Sequence, residues 1–113
     1  MKDFLLVYRA DYKNMPKVSP EEMQANTQKW MNWIAGIAAQ DKLTDRGNRL
    51  VPAGKVLKGN GSISDGPYTE IKESILGYSI VKVASLEEAA KLANGCPVLT
   101  AGGSVEIREI DPL

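Results

Sequence analysis

The stretch "DFLLVYR", Asp3 to Arg9, constrains the fold more than any other part of this sequence. It has the length and the apolar, aromatic character of a strand. Successive side chains of a strand point to opposite faces. Phe4, Leu6 and Tyr8 therefore face one way and Leu5 and Val7 the other, with no polar alternation. A strand that is apolar on both faces has to be covered on both faces.

The rest of the chain supplies one such cover. "SPEEMQANTQKWMNWIAGIAAQ" opens with Ser19 and Glu22 in capping-box spacing, and Pro20 stands at the first helical position. Met23, Thr27, Trp30, Ile34 and Ile37 recur at helical spacing, with Met31 and Ala38 widening the stripe, and the helix fades near Gln40. "GNG" at 59–61 separates Lys55–Lys58 from Ser62–Ser64, which predicts a hairpin. "ILGYSIVKV" is a further apolar strand. It carries Ile75, Gly77, Ser79, Val81 and Val83 on one face and Leu76, Tyr78 and Ile80 on the other. Ser85 and Glu88 form a second capping box, before a stripe of Leu86, Ala89, Ala90 and Ala93 and a stop at Gly95 and Pro97. "SVEIREI" alternates, with Val105 and Ile107 opposed to Glu106 and Arg108.

The order strand, helix, hairpin, strand, helix, strand predicts an α+β chain of ferredoxin-like βαββαβ topology, its second strand elaborated into an extra hairpin. Residues 1–113 form one domain, without repeat or linker. Two helices cover one face of such a sheet. Nothing left in the chain covers the other, so a face-to-face homodimer is expected.

Fourteen basic and fourteen acidic residues cancel, and the basic ones lie scattered between acids. Nucleic-acid binding needs a clustered positive surface and is not expected. The run Phe4 to Tyr8 is too short for a signal peptide or a membrane span. Cys96 has no partner for an internal disulfide, which fits a reducing compartment, and a cytoplasmic protein is expected.

Candidate chemistry concentrates in "SDGPYTEIKES". Asp65, Gly66 and Pro67 suit a tight turn: Asp accepts backbone N–H bonds, Gly supplies an unusual φ and Pro fixes one. Asp65 would alternatively lie at a pocket mouth and, if partly buried, act as a general base. Glu70 and Glu73 flank Lys72, either as a solvated ion-pair surface or as groups orienting a small polar ligand with Tyr68. The chain has no histidine, so a transition-metal site lacks its usual donors and no metal is expected. Trp30 belongs to the core stripe, and Trp33 at its edge faces a partner or solvent. Cys96 reads as a small buried residue, since nothing near it in sequence supplies a base. Tyr8 and Tyr78 are amphipathic, with Tyr78 assigned to the core. "PAGKVLKGNG" lacks phosphate-loop spacing and is read as hairpin only.

"FLLVYR", "SPEEM", "SDGPYTEIKE", "LGYSIVKVASLEEAAKLA", "CP" and "GGSVEIREI" together resemble, in this order and over essentially the whole chain, the YCII-related proteins. Within them they resemble the subgroup named for an Asp-Gly-Pro-Phe motif, with Tyr68 in place of the Phe. The resemblance implies a ferredoxin-like subunit that dimerises into an αβ-barrel. It also implies relatives among muconolactone-isomerase-like enzymes, and members fused to or encoded near transcription sigma factors. Other members carry a histidine paired with an aspartate, and a mechanism needing that imidazole cannot run here. The expectation is a homodimer that takes a small organic ligand near Asp65–Tyr68 and needs no cofactor. Two alternatives stand beside it. One is a histidine-independent isomerase- or lyase-like proton-transfer enzyme with Asp65 or Glu70 as base and Tyr68 as donor. The other is an accessory partner of a sigma-factor-type regulator. Whether the chain is an enzyme is left open by its residues.

Overall fold

The computed structural model describes residues 1–11, 17–65 and 74–113. In chain order the elements are β1 (Lys2–Ala10), α1 (Pro20–Ala39), β2 (Leu43–Asp45), β3 (Lys55–Leu57), β4 (Ile63–Asp65) and β5 (Ser74–Val83). They continue with α2 (Leu86–Ala93), a 3₁₀ turn (Pro97–Ala101) and β6 (Ser104–Glu109).

The apolar strand at the start occupies the middle of the main sheet, whose order is β2-β5-β1-β6. Every pairing in it is antiparallel. Phe4, Leu6, Tyr8 and Ala10 are buried on one face of β1, against Ile37, Val81, Val83, Ala89, Cys96 and Val98. At about 1.5–3 kcal/mol for each fully buried large apolar side chain, this layer is the main source of stability. The α+β, ferredoxin-like architecture is as the sequence indicates. The second strand is not where the sequence reading put it. Leu43–Asp45 takes that place at the sheet edge, where Leu43 pairs with Val81, while β3 and β4 form a separate two-stranded sheet. Three residues with no apolar run leave no strand signal.

A bulge alters the facing of β5. Tyr8 pairs with Gly77, but Arg9 pairs with Ile75 and Ala10 with Ser74. Leu76 is the extra residue, and it packs against the core. Ile75 therefore stands opposite Arg9 on the uncovered face, 43% exposed, rather than beside Val81 and Val83.

Both helix starts follow their caps. The Ser19 Oγ accepts from the Glu22 N–H at 3.2 Å, and the Ser85 Oγ accepts from the Glu88 N–H at 3.2 Å. The expected stripes are shorter than their periodicity. In α1 Ile37 is buried and Trp30, Trp33 and Ile34 half-buried, whereas Met23, Thr27, Met31 and Ala38 are exposed. In α2 Ala89 and Ala93 are buried and Leu86 and Ala90 are not. Spacing tells which residues share a face, not whether anything lies opposite them. Among the described residues, no helix is long and apolar enough to cross a membrane.

Candidate functional site

The sheet surface turned away from the helices is built by register. Leu5 stands between Ile80 of β5 and Arg108 of β6, and Val7 between Tyr78 and Glu106. Leu5, Val7, Tyr78 and Ile80 are half-buried within a single chain and have no layer over them among the described residues. Tyr78 therefore lies on this open face and not in the core, and its hydroxyl accepts from the Asn48 Nδ2 at 3.3 Å. Charge borders the apolar row. The Arg9 Nε donates to the Glu106 Oε1 at 3.2 Å, and the Arg108 Nη1 to the Glu106 Oε2 at 3.4 Å. The alternation of "SVEIREI" places Glu106 and Arg108 on one face, but only pairing and contact bring Arg9 to Glu106 and Asn48 to Tyr78.

Asp65 closes β4, directly opposite Lys55, with the Lys55 Nζ 2.6 Å from its Oδ1. Its side chain is 86% exposed, so the described residues do not supply the desolvation that a general base here would need. Ala53, Gly54, Lys55 and Asp65 wall an open depression at the foot of the hairpin. The other members of the candidate site, Gly66, Pro67, Tyr68, Glu70, Lys72 and Glu73, lie outside the described residues. They belong to the connection between Asp65 and the buried Ser74, which opens β5.

Three other candidates resolve into scaffold. The Tyr8 hydroxyl is inside, donating to the Ser79 Oγ at 2.7 Å, and burial pushes the phenol well above its ordinary range. It is not turned to a ligand. The Cys96 thiol is buried and pushed up to about 11 by desolvation, which keeps it protonated and unreactive near neutral pH. Trp33, half-buried at the edge of the α1 stripe, is packed within its own chain. It meets Tyr8 and Trp30 edge-on, with centroids 5.9 Å from each, and its indole N–H donates to the Leu92 carbonyl at 3.0 Å. Trp30 packs edge-on against Tyr8 at 4.9 Å, as a core residue should. Among the described residues, no three His, Cys, Asp or Glu side chains gather closely enough to hold a metal ion.

The sequence pattern of the YCII-related domain matches residues 3–113. No curated protein matches the chain. A solved structure with a similar course is the 5-chloro-2-hydroxyhydroquinone dehydrochlorinase of Burkholderia phenoliruptrix AC1100, in complex with 2,5-dihydroxybenzoquinone. It is 18% identical over 96% of this chain and 93% of its own, with a TM-score of 0.46.

Proposed function

Since this chain belongs to the YCII-related family, we propose that it acts as a cytoplasmic homodimeric αβ-barrel of the Asp-Gly-Pro-Phe subgroup. In this reading it binds a small organic molecule beside the Asp65–Glu73 segment. One observation carries this: the sheet face formed by Leu5, Val7, Tyr78 and Ile80 is apolar and has no cover among the described residues. Leaving such a face in water forgoes roughly 25 cal/mol for every Å² that could be buried. A second copy turned face to face covers it symmetrically, and the same patch then serves both partners. In this reading the end of the sheet where β5 begins becomes the mouth of the barrel, and the Asp65–Tyr68 segment serves it. Barrel mouths are common ligand sites. Glu70, Lys72 and Glu73 are the polar groups that would orient a ligand there. No cofactor is invoked.

Two measurements test the reading. Sedimentation at micromolar concentration should return twice the 12.3 kDa chain mass, and Val7→Lys should shift it to the monomer. Calorimetric titration with chemically diverse organic acids and lactones should give saturable heat that Asp65→Asn reduces at least about tenfold, roughly 1.4 kcal/mol. A monomeric native chain, or no heat from any compound, counts against it.

A further inference from the structure

The β3–β4 hairpin has little support from the described residues of its own subunit. Its strands pair with each other, Lys55 with Asp65, Val56 with Ser64 and Leu57 with Ile63, and neither packs extensively on another described element. Leu57 and Ile63 are cross-strand neighbours and lie 72% and 62% exposed. An isolated two-stranded hairpin is marginal in water unless it packs against something.

The chain as a whole carries more surface than a monomer of its size. A folded chain of this mass has about 6100 Å² of accessible surface, and this one has 8107 Å² at 12.3 kDa. The Cα radius of gyration is 15.4 Å, with extents of 44 × 44 × 18 Å, where a compact domain of this length has a radius of about 13 Å. The excess surface, about 2000 Å², is the amount each partner surrenders in an obligate dimer. A cap over the sheet face alone leaves the arm bare.

We propose that the hairpin is an exchange arm: it lays Leu57 and Ile63 on a second copy of this chain. The depression walled by Ala53, Gly54, Lys55 and Asp65 is then closed only in the dimer. The arm's occupant is a second copy because the surface in excess matches a subunit interface, and because two-fold symmetry lets each arm find the same surface on its partner. The ligand site at Asp65 is then shared between two chains. This inference rests on the homodimer proposed above.

The test compares the native chain with Leu57→Lys/Ile63→Lys by sedimentation equilibrium. The near-UV circular dichroism of the Tyr8, Trp30 and Trp33 cluster serves as a check that the core is intact. The arm predicts that the double variant weakens dimerisation by about 100-fold or more, as loss of two buried apolar anchors does. An unchanged dimer constant in a folded variant overturns the arm and leaves the face-to-face dimer standing. A native chain that stays monomeric overturns both. Hydrogen exchange of the native chain above and below its dimer constant needs no variant. Backbone amides of 55–65 should be protected only in the dimer, and protection that ignores concentration rejects the exchange.

Discussion

Tyr8 and Ser79, on neighbouring strands, form a relay that ends on the chain between β2 and β3. The Tyr8 hydroxyl donates to the Ser79 Oγ at 2.7 Å, and the Ser79 Oγ donates to the Arg46 carbonyl at 2.6 Å. Ser79 is 1% exposed, so its hydroxyl serves two groups at once, a buried phenol and the backbone that leaves the sheet edge.

That double duty makes the two residues unequal. Tyr8→Phe removes one donor and leaves Ser79 still bonded to Arg46, a loss of about 1 kcal/mol. Ser79→Ala strands both the phenol and the Arg46 carbonyl, and should cost about 2–3 kcal/mol. On a domain of this size each kilocalorie moves Tm by roughly 4–8 °C. Thermal unfolding of both variants should therefore rank Ser79→Ala as clearly the worse. The opposite order removes the relay.

Tyr8 and the buried Cys96 beside it in the core set an alkaline limit. The folded Cys96 thiol titrates at about 11 against an ordinary 9.0, and Tyr8 is also held above its ordinary 10.0, in both cases chiefly by desolvation. Raised values mean that the folded state favours the protonated forms. Their contribution is complete below pH 9; the Cys96 part is lost as pH rises from 9 to about 11, and the Tyr8 part only begins to be lost above pH 10. Denaturant midpoints from pH 7 to 11 should be flat and then fall, with Cys96→Ser losing the earlier part of the fall. At pH 8 the native thiol should resist disulfide-exchange reagents and react fully only in denaturant.

Two glycines with similar backbones should behave differently. Gly47 (φ 72°) and Gly102 (φ 81°) are both left-handed. A Cβ on Gly47 would run into the Tyr78 carbonyl oxygen, whereas one on Gly102 meets nothing within 4 Å. Gly102→Ala carries only the conformational strain, about 1–2 kcal/mol. Gly47→Ala must also push β2 and its following turn off β5, and should cost more than about 3 kcal/mol. Equal Tm values for the two variants would contradict this packing at the sheet edge.

Asp65→Asn separates anchor from ligand group. The Lys55–Asp65 pair is short, but its side chains are 66% and 86% exposed. Solvent screening limits such a pair to about 0–1 kcal/mol. Tm should fall by less than about 8 °C, while ligand affinity falls by the factor given above. A large fall in Tm makes Asp65 a structural anchor instead.

Much of the scaffold was legible because its signals are local. Ser19 with Glu22 and Ser85 with Glu88 announce helix starts through bonds spanning three residues. Phe4, Leu6 and Tyr8 announce a buried strand face by alternation alone. The departures are non-local. Ile75 changes face because of a bulge opposite Tyr8 and Arg9, which depends on pairing and leaves no mark in β5 itself. Met23 and Met31 keep helical spacing with nothing opposite them among the described residues, while Trp33 finds Leu92, 59 positions away, as the acceptor for its indole. Asp65 could be placed, and its exposure found. Tyr68, Glu70, Lys72 and Glu73 lie outside the described residues. The site was legible as a composition, and the polar border of the open sheet face, Arg9, Asn48 and Glu106, emerged only through pairing and contact.

The central position of β1 sets the tempo of folding. Tyr8 waits for Ser79, 71 positions on, and Arg9 for Glu106, 97 positions on. Pairings that distant are reached slowly, on a scale of about milliseconds to seconds. Until then "FLLVY" is an unpaired apolar strand in a growing chain, the kind of segment that joins its counterparts on other copies. Slower synthesis at lower temperature should therefore raise the yield of soluble protein more than any change to the hairpin.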